Sequence, residues 1–478
     1  MNTRPHTILA IITAIAAVLV VTTCNQPSAD NGNDSSSYWA NAYPSAKSET
    51  PKKIIATADG GYLVVGERSD PTTERLNIWA VKLDSSGAVS WVNTYDASSR
   101  DEVECMFQTH EGGFIIGGDS LVTDSTNAEH DALVMKLGSD GSISWATALD
   151  LDLDRTDDTN ATAFYVHLLK KNLAGDILLG GTATLDSSQT GGAQLEPMLI
   201  EVTTGGVPSV AYSIDYPGYQ EIGNILHTGP DRYIFIGTTE AAGGGAHYFG
   251  ARFDGANAPY ETNWAVTFWS YDHVTPNLTA AWAFDGNFIV AGPGNPDSVY
   301  TFRMDPFTGN QIDKAWRVEA RDTIIGGIRD IAEIDNHNFM ITGTTPRSDG
   351  RGDDMWLAMV QDDDAAPLAT THIEGLETEG GYAVTAASGD GVVSAGTTEI
   401  AGSDYKDLFV VRGDDYGAIP GEAFTMRDDY QIYPNGSVNS TDVGPLSVNA
   451  HSGNIFVSDV KSGIAVQSTV PSKTQIYP

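Results

Sequence analysis

Short apolar runs alternate along the chain with breaks rich in glycine and aspartate, and the spacing within the runs carries no helical period. Seven of the runs end in glycine: Tyr62-Leu-Val-Val-Gly66, Phe114-Ile-Ile-Gly-Gly118, Ile177-Leu-Leu-Gly-Gly181, Tyr233-Ile-Phe-Ile-Gly237, Phe288-Ile-Val-Ala-Gly292, Phe339-Met-Ile-Thr-Gly343 and Val392-Val-Ser-Ala-Gly396. Their terminal glycines lie 52, 63, 56, 55, 51 and 53 residues apart, so the chain is a repeat. Tight turns precede several of the runs, as at Asp59-Gly60-Gly61, Glu111-Gly112-Gly113 and Asp285-Gly286-Asn287. Two further elements recur in register. One is a β-rich stretch such as Ile78-Trp-Ala-Val-Lys-Leu-Asp84 or Leu408-Phe-Val-Val-Arg412. The other is a tryptophan strand after an Asp/Ser/Gly turn, as at Trp91, Trp145, Trp264 and Trp316.

With one more strand ahead of each glycine run, every unit holds four short antiparallel strands, which is the signature of a propeller blade. The fold class is therefore all-β, a single β-propeller domain over 38–470. The recurring aromatics lie inside strands and are expected to pack between blades. At the N-terminal end, Tyr38-Trp39-Ala-Asn-Ala-Tyr43 matches a fourth strand with no unit before it. At the other end, Leu446–Ala450, Asn454–Ser458 and Gly463–Gln467 read as three strands without a fourth. Joining these gives an eighth blade that closes the ring; a seven-bladed ring with the last segment as an appendage is the alternative.

The chain opens with Met1-Asn-Thr-Arg4-Pro-His and an apolar run from Ile8 to Val21, long enough for a secretory leader and short for a bilayer span. It ends Val21-Thr22-Thr23-Cys24, which resembles a bacterial lipobox, although Thr23 departs from the usual small residue. The resemblance implies cleavage after residue 23 and lipidation of Cys24, followed by a polar tether over 24–37. It places the protein in the cell envelope, held by its lipid at the outer membrane or cell surface. The other cysteine, Cys105, lies among apolar neighbours and reads as a buried small hydrophobe.

Composition narrows the partners. Lys+Arg 26 against Asp+Glu 63 gives a net charge of −37, which excludes a phosphate-binding face and hence nucleic acid. Two cysteines are too few for a disulfide framework or a four-thiolate zinc site. Nothing in the sequence calls for a cofactor, and a monomer is expected.

The Asp-Gly-Gly-Tyr-Leu-Val-Val-Gly … Trp-Ala-Val-Lys-Leu-Asp-x-x-Gly-x-x-x-Trp pattern resembles a large group of bacterial secreted and lipoprotein β-propellers over about residues 38–425. The resemblance implies a surface propeller and no defined activity. Asp305-Pro-Phe-Thr-Gly309 … Trp316 also resembles the tryptophan-docking motif of quinoprotein-type propellers. The vicinal cysteine pair that many quinone enzymes carry is missing here.

Connections between second and third strands, and between blades, are long and irregular. In an up-and-down blade both sets emerge on one face, where a binding surface is expected. Asp152, Asp154, Asp157 and Asp158 form an acidic loop that could hold calcium, although Arg155 and Ala161 break the EF-hand template. Trp269, Tyr271, Asp272 and His273 pair aromatics with a carboxylate and an imidazole, and Tyr216 and Tyr219 form a weaker aromatic pair; these are the ligand-binding candidates. No nucleophile elbow, metalloprotease motif, phosphate loop or Cys/His array occurs. The expectation is a binding or scaffold module for protein, glycan or cation without catalysis of its own. The rival class is a propeller-fold polysaccharide hydrolase or lyase, whose carboxylate pair would assemble only in space.

Overall fold

The computed structural model describes residues 20–23 and, outside stretches within the connections, 38–475; the longest stretches left out there are 152–163 and 418–429. The described elements are strands, in seven antiparallel sheets. Blade 1 is Ser48–Ala56, Tyr62–Asp70, Arg75–Leu83 and Val89–Asp96. Blades 2 to 6 repeat this plan from the inner strands Asp101–Gln108, Phe164–Lys171, Gln220–Gly229, Thr279–Trp282 and Ile328–Asp335. Blade 7 has Glu379–Ala386, Val392–Glu399 and Lys406–Gly413, and its fourth strand is Trp39–Tyr43. Inner strands of successive blades touch, and that of blade 7 touches that of blade 1, so the ring is closed around an axis.

Each blade is covered on both faces by its neighbours, so its strands carry apolar residues on both sides. Tyr62 to Val65 and Ile78 to Val81 are buried throughout. The core divides into seven apolar clusters, one at each seam between blades. The repeat tryptophans clamp these seams. Trp91 Nε1 donates to Ser139 O at 3.0 Å, Trp145 Nε1 to Thr204 O at 3.2 Å and Trp264 Nε1 to Pro306 O at 3.0 Å. In each case the carbonyl belongs to the turn between third and fourth strands of the next blade. A positive-φ glycine there, Gly141, Gly206 or Gly309, lets the indole lie against backbone that a Cβ would block. The motif Asp305–Gly309 is such a dock, and the tryptophan seated on it is Trp264 of the preceding blade.

The basic residue of the Lys-Leu-Asp signature has a local task. Lys82 reaches back to the Asp59 carboxylate of the Asp-Gly-Gly turn at 2.9 Å, and Arg303 bonds Asp285 at the same place in blade 5. Cys105 is buried, as expected.

Two expectations are corrected. The ring has seven blades, because Trp39–Tyr43 pairs directly with Leu408–Arg412 and completes the seventh unit as its fourth strand. The C-terminal segments do not assemble into an eighth blade. Ser447–His451 pairs with blade 3, Ile455–Asp459 with blade 2 and Ala465–Ser468 with blade 1, each adding a fifth strand to an outer edge. Tyr430–Gly436, Ser440–Asp442 and Thr474–Gln475 do the same for blades 5, 4 and 7. Blade 6 receives Val20–Thr23, four residues of the expected leader, against Thr371–Glu374. An outer edge is a row of unpaired backbone groups, and pairing it satisfies them.

Candidate functional site

The axis is where the repeat builds something its own motif does not announce. In six blades the inner strand carries a β-bulge at one register. The neighbouring strand pairs Gly66 with Pro51 and Val65 with Lys53, so Lys52 is the extra residue. The same step leaves out Glu104 in blade 2, His167 in blade 3, Gly223 in blade 4, Arg329 in blade 6 and Tyr382 in blade 7. Each bulge lies opposite the terminal glycine of its run. A Cβ on Gly66, Gly118, Gly237 or Gly396 would fall on the backbone oxygen of Thr50, Glu102, Glu221 or Gly380. The repeat glycine therefore admits the close backbone approach that a bulge requires. Blade 5 has no bulge: Thr279–Trp282 pairs regularly, and the buried Leu278 stands beside Gly292.

The bulges lie at or before the middle of the inner strands, whose starts face the long connections. They bring together side chains far apart in sequence. Lys52 Nζ lies 2.7 Å from Glu104 Oε1 and 3.0 Å from Glu67 Oε1. Oxygens of Glu67, Glu102 and Glu104 are within 4.8 Å of one another, and Arg100 bonds Glu102. Behind them Asp119 meets His130 Nδ1 at 3.1 Å, and the His130 ring lies 5.0 Å from that of Tyr165. On the other side Lys53 bonds Asp330, which also accepts from Val384 N at 3.1 Å, and Arg329 lies over the Tyr382 ring at 5.6 Å.

Burial sets the proton affinities here. It pushes Glu67 up to about 7; Lys52 opposes this, and Glu104 and Glu102 add to it. Asp119 is raised by burial against the pull of His130. Burial works against the charge on Lys52, yet Glu104 and Glu67 hold its ammonium well above the ordinary lysine range. Glu67 and Glu104 thus already share Lys52 and Glu102 is held by Arg100, so a divalent ion would enter only by displacing these cations.

None of the site candidates read from sequence is among these residues. Trp269 and Tyr271 belong to the strand Glu261–Tyr271, at its loop-face end. Asp272, His273, Tyr216, Tyr219, Asp152, Asp154, Asp157, Asp158 and Cys24 lie outside the described residues. The bulge residues escaped notice because they share no chemical type. Their signal is positional: 66 − 52 = 14, and the other five also precede their glycine by 14 residues.

No family model and no curated protein matches the chain. Among solved structures it is similar to a protein of unknown function from Dyadobacter fermentans, at 12% identity and a TM-score of 0.41, covering 70% of this chain and 98% of that one. It is also similar to a GH43_12 protein from a capybara gut metagenome, at 12% identity and a TM-score of 0.24, covering 92% of this chain and 99% of that one. At these scores neither bears on function, and the propeller rests on the strand order and the closed ring of inner strands.

Proposed function

We propose that this protein is an envelope-anchored β-propeller that binds a ligand at the loop-face mouth of its axis and performs no chemistry of its own. The observation that carries the reading is the ring of bulges. A bulge re-aims a side chain at the cost of regular pairing. Six lie at one register, and four of them, at Lys52, Glu104, Arg329 and Tyr382, equip the axis to meet a ligand rather than to complete a core. The carboxylates are bound to Lys52 and Arg100, which suits a preformed polar surface better than an acid and base awaiting substrate. Ligand classes are a glycan, a protein segment or a cation, and the membrane partner is the lipid on Cys24.

Calorimetry of the folded chain with a glycan panel, in calcium and in chelator, tests this. Binding weakened by Glu104→Gln supports the mouth as the site, and binding indifferent to that change removes it. One feature favours the polysaccharide-cleaving alternative: a glutamate raised to about 7 within 4.8 Å of two others. New reducing ends in the same panel, abolished by Glu67→Gln, would establish that class instead.

A further inference from the structure

The charges that the bulges bring to the axis are not all matched. Lys52 is bonded to Glu104 and Glu67, and Lys53 to Asp330. Arg329 differs: it is exposed, and no carboxylate bonds it among the described residues. Its guanidinium is nonetheless held in place, with Cζ 5.6 Å from the centroid of the Tyr382 ring. Both residues are bulge residues, of blades 6 and 7, whose inner strands are in contact. In a chain of net charge −37 this is a positive point with no counter-ion among the described residues, at the axis of the ring.

We propose that Arg329 and Tyr382 form an anion subsite that takes a carboxylate group of the ligand. A guanidinium stacked on an aromatic face keeps its edge free, and that edge matches a carboxylate with two parallel N–H donors. Tyr382 restricts the side chain beforehand, so less freedom is lost on binding. The neighbouring charges reinforce the choice. Asp330 is taken by Lys53 and does not compete for Arg329. The carboxylates of blades 1 and 2 repel a diffuse polyanion, so a single carboxylate on an otherwise neutral ligand fits best. Two sources share this chemistry, a uronic acid residue in a glycan and a simple organic acid. The inference rests on the axial mouth being the binding site.

Calorimetric titration of the full chain with a galactose trisaccharide bearing one terminal galacturonic acid, with the matching neutral galactose trisaccharide and with lactate tests it. The acidic trisaccharide is expected to bind and the neutral one to bind at least about tenfold more weakly. Arg329→Gln should lower the affinity for the acid about tenfold and leave the neutral sugar unaffected, and Arg329→Lys should fall between them. Arg75→Gln removes an exposed arginine paired with Asp96 and should change nothing. Lactate binding as tightly as the acidic trisaccharide assigns the subsite to the carboxylate alone, and weaker lactate binding assigns it to an acidic sugar. Equal affinity for acidic and neutral sugars, no effect of Arg329→Gln, or no binding of any carboxylate overturns the subsite. A ligand sensitive to Glu104→Gln but indifferent to Arg329→Gln would leave the axial mouth standing and remove only this inference. Arg329 is exposed, so its variants should keep the wild-type melting temperature, which is measured alongside.

Discussion

Trp39 Nε1 donates to the carbonyl of Ser85 at 3.3 Å, and the two residues belong to different blades. Trp39 lies in the strand that completes blade 7, and Ser85 in the turn between the third and fourth strands of blade 1. In the same dock the Tyr43 hydroxyl donates to Gly87 O at 2.7 Å, and the ring edge of Trp39 packs where a Cβ on Gly87 would stand. This is the repeat clamp placed across the seam where the chain closes on itself. A ring held shut by one short strand concentrates its closing interactions in few residues.

Trp39→Ala is accordingly expected to cost about 3–5 kcal/mol, because it empties a buried site and breaks the seam. Deleting Trp39–Tyr43 should cost more, since it also bares the edge of Leu408–Arg412. Chemical denaturation checks both. Stability unchanged by the deletion would show that this strand does not close the ring.

Two glycines a few residues apart should behave differently. Gly112 has φ +85° with open space around it, so Gly112→Ala is expected to cost only about 1–2 kcal/mol of backbone strain. Gly118 faces the Glu102 carbonyl at the bulge, where no side chain fits without moving the inner strand. Gly118→Ala should cost about 3 kcal/mol or more and disturb Glu104. Equal melting temperatures for the two variants would contradict the bulge account.

Glu49 is buried beside Arg68, and burial raises its carboxyl to about 7, as it does for Glu67. A carboxyl whose folded value lies above its unfolded value near 4.5 binds more protons when folded. Its contribution to stability is therefore lost as pH rises from about 4.5 to 7, and acidification from pH 8 towards 6 should raise the melting temperature. Glu49→Gln and Glu67→Gln should each flatten that dependence. A slope identical to wild type in both variants would refute it.

Cys24→Ala should release the protein from the membrane fraction, and a labelled fatty-acid precursor should mark the wild type alone. Cleavage before Cys24 would also take Val20–Thr23 away from the edge of blade 6. Backbone amides in Thr371–Glu374 should then exchange faster in the mature protein than in an uncleaved one. Unchanged membrane partition of the alanine variant would rule out lipid anchoring.

The architecture was readable because its causes are local. Glycine ends the apolar runs, a tight turn precedes several of them, and a tryptophan follows the third-to-fourth turn in blades 1, 2, 4 and 5, so period and strand number appear in the residues themselves. The blade count was not readable at the ends. Trp39–Tyr43 fits the fourth-strand pattern equally well in a seventh or an eighth blade, and only its register with Leu408–Arg412 selects the seventh. The C-terminal strands had the right composition, but a strand's composition does not say which edge it joins.

The site was less legible still. Lys52, Glu104, Arg329 and Tyr382 share a place in the repeat and no chemistry, so a search for like residues passes over them. The sequence by itself determined the repeat, the four-stranded unit and the glycines that make bulges possible, because each depends on neighbours along the chain. Only the tertiary structure decided which side chains meet at the axis. Closing the ring brings Lys52 to Glu104 and Arg329 to Tyr382 across blade boundaries, and partners about fifty residues apart are set by packing rather than by local propensity.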